Sequence, residues 1–368
     1  DTPEPAPVGS LRGPLNGDLA VNLAHLLQRQ ALMDPERPAI LLGQQRVATH
    51  GQWARRCAHL ARQFQRAGLQ PGDRVALFMR NHVRYLEVMF GAWWAGLVVV
   101  PINAKLHLRE AQWIVDNAQD EVLCFDLTFL PLVEAVASRL NTVKHFVLMT
   151  DRAHMPEKTS IPNLLCYEEL LAEQSSDFLW PEFDERAASS LCYTSGTTGN
   201  PKGVLYSHRS TLLHTYASSL PDALNLSARD TILPVVPMFH VNAWGLPYSA
   251  CMVGAKLVLP GPGLDGKSLY ELFESESVTL SAGVPTVWQG LLTHVQSQDL
   301  RFSTMNRTII GGSTCPPTMM DTFQDEYGVQ VIHAWGMTEL SPVGTVSVLK
   351  GEQLKWPKDA QRAVQSKQ

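Results

Sequence analysis

The chain has 368 residues, 45% of them hydrophobic and 18% charged, with a formal net charge of −5. This is too long for one ordinary domain and suits two or three subdomains around a large core, which excludes a disordered or fibrous chain. Mild acidity without a basic run gives no footprint for nucleic acid.

Residues 1–18, DTPEPAPVGSLRGPLNGD, read as a flexible N-terminal arm without the apolar run of a signal peptide. HGQWARRCAHLARQFQRAG (50–68) carries apolar residues at helical spacing and ends in glycine. RVALFM (74–79) predicts a strand, RYLEVMFGAWWAG (84–96) a helix, VVVPIN (98–103) a strand and HLREAQWIVDNA (107–118) a helix. EVLCFD (121–126) and HFVLM (145–149) are further strand candidates. This alternation predicts crossover units and a mostly parallel, buried sheet in a first α/β subdomain, 19–150. Residues 151–187 are polar and proline-rich, with a short helix at YEELLAEQ, and read as a connecting segment. Alternation resumes over 188–349 in a second α/β subdomain, from SSLCYTS and HRSTLLHTYAS to RTIIGG and QVIHAWG, and a charged, helix-like tail follows over 350–368.

Two long uncharged stretches, 88–104 and 231–255, are candidates for membrane spans. The first is short and ends near Pro101; the second contains Pro234, Pro237 and Pro247, which would break a spanning helix. Both read as buried strand and helix, so no transmembrane segment is expected. The six cysteines Cys57, Cys124, Cys166, Cys192, Cys251 and Cys315 form no CxxC pair and read as reduced core thiols of a cytoplasmic protein.

YTSGTTGNPKGV (193–204) follows the strand candidate SSLCY directly, and a helix-like segment comes soon after. A glycine-rich turn leaves backbone N–H groups free to point outward. With the hydroxyls of Thr194, Ser195, Thr197 and Thr198 they suit phosphate oxygens. Gly196, Gly199 and Gly203 permit unusual backbone angles and close approach, and Lys202 adds one positive charge. This is not the G-x-x-x-x-G-K-[ST] phosphate loop, because Pro201 precedes the lysine and Gly203 follows it. The bland alternative is a Ser/Thr/Gly surface loop. HAWGMTEL (333–340) offers a flat indole, Trp335, for stacking a purine, room at Gly336, a hydroxyl on Thr338 and a carboxylate on Glu339 suited to Mg²⁺ on a triphosphate. Alone, Glu339 would read as a solvated charge.

YTSGTTGNPKGV resembles the signature loop of the adenylate-forming superfamily, which includes acyl-CoA synthetases, luciferases and peptide-synthetase adenylation domains. HAWGMTEL resembles its aromatic-Gly-x-Thr-Glu motif, and GGS (311–313) its strand-end turn at the adenine pocket. The resemblance runs from about residue 20 to 349. It implies an α/β fold of stacked, mostly parallel sheets flanked by helices, with a small barrel-like part. It implies ATP, Mg²⁺ and coenzyme A as ligands. Thr194 and Glu339 would share the Mg²⁺, and Thr338 would contact the α-phosphate. Lys202, His240, Thr338 and Glu339 would serve catalysis. Residues 194–199, Lys202, Gly312, Ser313, His333, Ala334, Trp335, Gly336, Met337 and Thr338 would hold the nucleotide.

MFHVNAWGLPY (238–248) bears on the acid. Amino-acid-activating relatives usually place an aspartate where His240 stands, so no carboxylate is available for an ammonium group. The string, with LVLPGPGLD (257–265) and TLSAGVPTVW (279–288), looks most like bacterial medium- and long-chain fatty acyl-CoA synthetases. His240, Val241, Trp244, Gly283 and Gly311 would then line the acyl pocket, with Trp244 lining or gating it. The bland alternatives are a hydrogen-bonded core histidine and plain core packing of the tryptophan. A ligase for an aryl, branched or sulfur-containing short acid, and a non-catalytic nucleotide- or acyl-binding relative, stay open.

Family members continue with a Tyr-Arg-Thr-Gly-Asp-like block, a hinge and a small C-terminal domain carrying a catalytic lysine. None of these is found here, so the tail reads as truncated, and a polypeptide of these residues alone is expected to turn over poorly. Similarity to close-looking relatives also implies a homodimer, and contact with a membrane surface stays open.

Overall fold

The structure is a computed structural model and describes residues 22–42, 45–172, 181, 183–194 and 199–367. Fifteen strands lie among the described residues. They are β1 (Pro38–Leu42), β2 (Gln45–Thr49), β3 (Arg74–Phe78), β4 (Val98–Pro101), β5 (Val122–Phe125), β6 (His145–Leu148), β7 (Leu165–Cys166), β8 (Ala188–Thr194), β9 (Lys202–Ser207), β10 (Thr231–Pro234), β11 (Lys256–Leu259), β12 (Leu280–Gly283), β13 (Arg307–Ile310), β14 (Gln330–Gly336) and β15 (Val343–Val346). They form two sheets, ordered β7-β6-β5-β3-β4-β8-β9 and β15-β14-β13-β12-β10-β11-β1-β2. Every neighbouring pair is parallel except β8–β9, β14–β15 and β1–β2. Both sheets are open, so the expected barrel-like part is absent among the described residues.

Alternation along the strands explains the layering. In β3, Val75 and Leu77 join one core, while Ala76 and Phe78 join another with the helix Leu108–Ala118. In the second sheet Ile232, Leu257, Ile309 and Ile332 join the first core, while Leu233, Val258, Ile310 and Val331 face the helices Gly266–Ser275 and Pro285–Ser297. The shared core holds the helices Ala24–Met33, His50–Arg66, Val83–Trp94 and Leu246–Val253, sandwiched between the two sheets. A helix covered on all sides must be apolar all round, and in Val83–Trp94 every residue but Arg84 is buried. The helix His50–Arg66 starts at a capping box: Gln52 N–H donates to Thr49 Oγ1 at 3.2 Å, and Thr49 N–H to Gln52 Oε1 at 2.9 Å.

The shared core also contains a carboxylate, Glu87. Arg56 Nε lies 2.6 Å from its Oε1, and Tyr167 Oη donates to its Oε2 at 2.7 Å. Arg56 and Arg84 both pair with Glu168 as well. A buried charge is tolerated only when paired and hydrogen-bonded in this way.

The sheets do not follow the subdomain boundaries expected from the sequence. β7 lies within the expected connecting segment yet pairs with β6, and β8 and β9 extend the first sheet. β1 and β2, from the first half, extend the second sheet. Composition marks polar stretches but carries no information on which sheet a strand joins. The first membrane-span candidate is the end of the helix Val83–Trp94 followed by β4, as expected. No described helix is long and apolar enough to cross a membrane. All six cysteines are buried and free.

Candidate functional site

β8 and β9 form an antiparallel pair with Thr194 opposite Lys202. Thr194 Oγ1 donates to the Lys202 carbonyl at 3.4 Å. Of the expected phosphate-binding residues between them, Ser195, Gly196, Thr197 and Thr198 lie outside the described residues. Gly199 has φ +124°, which bears out the need for glycine there. Gly203 serves packing instead: a Cβ there would come within 2.9 Å of Leu191 Cδ1. The six-residue strand β9 separates the loop from the helix His208–Ser219, whose N-terminus is capped by Ser207. The start of that helix is therefore set apart from the loop by the length of β9.

The other wall comes from strand ends of the second sheet, where open α/β sheets bind ligands. Gly311 and Gly312 follow β13, and Gly312 has φ +77°. β14 ends at Gly336, where a Cβ would overlap the Pro342 carbonyl oxygen at 2.3 Å. The chain then makes a single turn, Thr338–Leu340, and returns as β15. Trp335 is 45% exposed, and its ring packs against Gly344, where a Cβ would come within 2.8 Å of the indole. Tyr206 Oη on β9 donates to the Thr338 carbonyl.

After β10 the chain reaches His240 and then takes a left-handed turn. Val241, Asn242, Ala243 and Trp244 have φ of 43°, 54°, 50° and 56°. Each such residue costs roughly 1–2 kcal/mol relative to right-handed backbone, so four in a row must be held by their surroundings. Asn242 is fully buried and its Nδ2 donates to Ser190 Oγ at 3.3 Å. Trp244 packs on Gly311 and Gly312. His240 is exposed at the cleft, and partial desolvation there lowers its pKa below its ordinary value, which favours the neutral imidazole.

These pieces enclose a cleft of about 310 Å³ lined by Thr194, His240, Val241, Trp244, Gly311, Gly312, residues 334–339, Pro342 and Val343. It brings together most of the expected site residues: Thr194, His240, Val241, Trp244, Gly311, Gly312, Ala334, Trp335, Gly336, Met337, Thr338 and Glu339. Gly199, Lys202, Ser313, Gly283 and His333 do not line it. Gly283 lies under Trp288, whose Nε1 donates to its carbonyl at 3.2 Å. His333 is fully buried: its Nε2 accepts from Cys315 N–H at 3.1 Å, and its Nδ1 lies 3.2 Å from the Gln365 carbonyl. The ring thus ties the Cys315 backbone to the helix Lys358–Gln365 and does not line the cleft. The sequence reading missed Tyr206, Pro342, Val343 and Gly344; of these, only the glycine within a strand carries a signal.

A larger cleft of about 600 Å³ lies between the helix Lys358–Gln365 and β14. Its charged lining is already paired, Arg362 with Asp325 and Lys358 with Asp325.

Among the described residues no group of three or more His, Cys, Asp or Glu could hold a metal. The cleft's side-chain oxygens are the hydroxyls of Thr194 and Thr338 and the Glu339 carboxylate. That sparse set fits Mg²⁺, which is commonly held by one or two protein oxygens together with phosphates and water.

The architecture is thus two mostly parallel α/β sheets packed on a shared layer of helices, with a cleft at the strand ends. A family model described as AMP-binding enzyme matches residues 27–365, and the chain belongs to that family. It is 51% identical over 311 residues to a medium-chain-fatty-acid–CoA ligase of Ectopseudomonas oleovorans, covering 82% of this chain and 56% of that protein. It is 48% identical over 318 residues to a 3-methylmercaptopropionyl-CoA ligase of Ruegeria lacuscaerulensis, covering 86% and 59%. A long-chain-fatty-acid–CoA ligase of Thermus thermophilus is 44% identical over 336 residues, covering 90% and 60%. The chain therefore spans little more than half the length of these curated relatives. Among solved structures, the anthranilate CoA ligase AuaEII in complex with anthranoyl-AMP superposes with a TM-score of 0.82 at 21% identity, over 89% of this chain and 62% of that one, which shows the shared fold.

Proposed function

We propose that this chain forms the acid- and nucleotide-binding part of an AMP-forming fatty acyl-CoA ligase for medium or long chains. The acid's carboxylate oxygen would attack the α-phosphorus of ATP, forming the acyl–phosphate bond of acyl-AMP and releasing pyrophosphate. The thiol of coenzyme A would then attack the acyl carbon, forming the thioester and releasing AMP. The observation that supports this reading most is the single cleft shared by Thr194, the Thr338–Glu339 turn and the apolar face of Trp244. Trp335 offers its ring to a purine, Thr338 its hydroxyl to the α-phosphate, and Lys202 a cation at the end of the loop. His240, neutral and at the cleft wall, suits the reacting carboxylate without fixing it in an ion pair. Mg²⁺ bound through Thr194 and Glu339 would offset phosphate charge. A homodimer and a cytoplasmic location belong to the same reading; sedimentation and cell fractionation test them.

A second reading has a specific observation behind it. The 3-methylmercaptopropionyl-CoA ligase is nearly as similar as the medium-chain enzyme, at 48% against 51% identity. A short sulfur-containing acid is therefore the competing substrate.

Thermal melting of the chain with non-hydrolysable acyl-sulfamoyl adenosines separates these readings. A ligand at about 100 times its dissociation constant adds about 2.7 kcal/mol, a shift of a few degrees. The expected result is a shift that grows from two to eight to sixteen carbons. A larger shift with the 3-methylmercaptopropionyl analogue moves the assignment to the short acid. No shift with any analogue removes the adenylate reading for this chain.

A further inference from the structure

Thr338 and Glu339 sit on a turn that projects from the sheet. Met337, Glu339 and Leu340 are exposed. Within the turn, Leu340 N–H donates to the Met337 carbonyl at 2.9 Å, and Met337 N–H to the Pro342 carbonyl at 3.0 Å. Those bonds shape the turn but do not anchor it to the opposite wall.

Two side chains from outside reach it, one at each end. Tyr206 Oη donates to the Thr338 carbonyl, and Val343 N–H donates to His214 Nε2 at 3.1 Å. Both side chains come from one continuous piece of chain. Tyr206 is in β9, which begins at Lys202, and His214 is in the helix His208–Ser219 that follows. Tyr206 is 2% exposed and packs in a small cluster with Cys192 and Val241, so its hydroxyl is delivered from a fixed ring. Burial also drives the His214 pKa down to about 4, which keeps its ring neutral and Nε2 free to accept.

We infer that Tyr206 and His214 are positioning residues that pin both ends of the Thr338–Val343 turn to the strand–helix unit carrying Lys202. This inference rests on the nucleotide reading above. The two walls that would hold the phosphates then keep one spacing, and Tyr206, packed on Val241, ties in the acid side as well. Neither residue need touch a ligand.

The test combines hydrogen exchange with ligand affinity on the 368-residue chain. His214→Leu removes the acceptor, His214→Gln presents an oxygen at the same reach, and Tyr206→Phe keeps the ring and loses the donor. The Val343 amide is expected to exchange about tenfold faster in His214→Leu and near the parent rate in His214→Gln. Affinity for octanoyl-sulfamoyl adenosine is expected to fall about two- to tenfold in His214→Leu and in Tyr206→Phe, and to recover in His214→Gln. Unchanged Val343 exchange in His214→Leu overturns the anchoring. Faster exchange with unchanged affinity reduces the contact to a structural one and overturns the positioning role. Failure of the parent chain to bind the analogue counts against the nucleotide reading, while the exchange data still judge the anchor.

Discussion

The indole of Trp244 lies so close to Gly311 that a Cβ on that glycine would come within 3.2 Å of the indole Cη2, and within 2.9 Å of the Ala334 carbonyl oxygen. The ring sits on a left-handed turn with little freedom to retreat. Gly311→Ala is therefore expected to overpack the cleft wall and to weaken binding of an octanoyl adenylate analogue by about tenfold. Trp244→Ala added to it should recover only the part of the loss due to the indole, because the contact with the Ala334 carbonyl remains. Calorimetry on the single and double variants checks this, and a Gly311→Ala protein that binds like the parent would show that the two groups do not constrain each other.

The Arg56–Glu87 pair predicts an asymmetry. Glu87 is almost fully buried, while Arg56 is one-third exposed and keeps Glu168 as a second partner. Arg56→Met leaves a carboxylate in the core with only the Tyr167 hydroxyl, and is expected to cost about 3–5 kcal/mol. Glu87→Leu leaves a cation that still has a partner and should cost less. Urea unfolding of both variants decides it; equal losses would mean that the network does not isolate Glu87.

Acid sensitivity has a defined source in His208. Its ring is fully buried, Leu23 N–H donates to its Nδ1 at 3.2 Å, and burial pushes its pKa down to about 3. The unfolded chain takes up the proton near the ordinary value of about 6.5, so stability from this site falls as pH drops below that value. Between pH 6.5 and 5 the loss is about 2 kcal/mol. His208→Asn keeps an acceptor and removes the titration. Its unfolding free energy should therefore fall less than the parent's over that interval, and parallel pH curves would refute the assignment.

The six thiols should be silent. All are buried, and burial raises the pKa of Cys57, Cys124, Cys192, Cys251 and Cys315. A thiol reagent added to the native chain is expected to label none of them within minutes and all six in denaturant. Rapid labelling of the native chain would contradict this packing.

Local chemistry was legible in the sequence wherever a residue's type dictates its place. Alternating Val and Leu marked the strands, and the apolar run at 84–96 marked a buried helix. Trp335, Thr338 and Glu339 read correctly as cleft residues because Gly336 and the short polar turn set them at a strand end. Long-range pairing was not legible. Nothing in PAILL reveals that Ile40 pairs with Leu257, and nothing in KGVLYS separates a loop from β9. The contacts of His333 with Cys315 and Gln365 were not legible, because a motif read in a line does not show what a strand side chain meets. The left-handed turn at Val241–Trp244 left little mark, since of its four residues only Asn242 is of a type that favours left-handed backbone.

The pairing of β1 with β11 has a consequence for how the protein is made. The paired residues Ile40 and Leu257 are more than two hundred positions apart. At about 5–20 residues per second on the ribosome, β1 emerges roughly ten seconds or more before its partner exists. Throughout that interval β1 can pair only with β2, along one edge, and its other edge has no native partner. Newborn chains must therefore wait with one apolar strand edge in the open until β11 joins the second sheet to the β1–β2 hairpin.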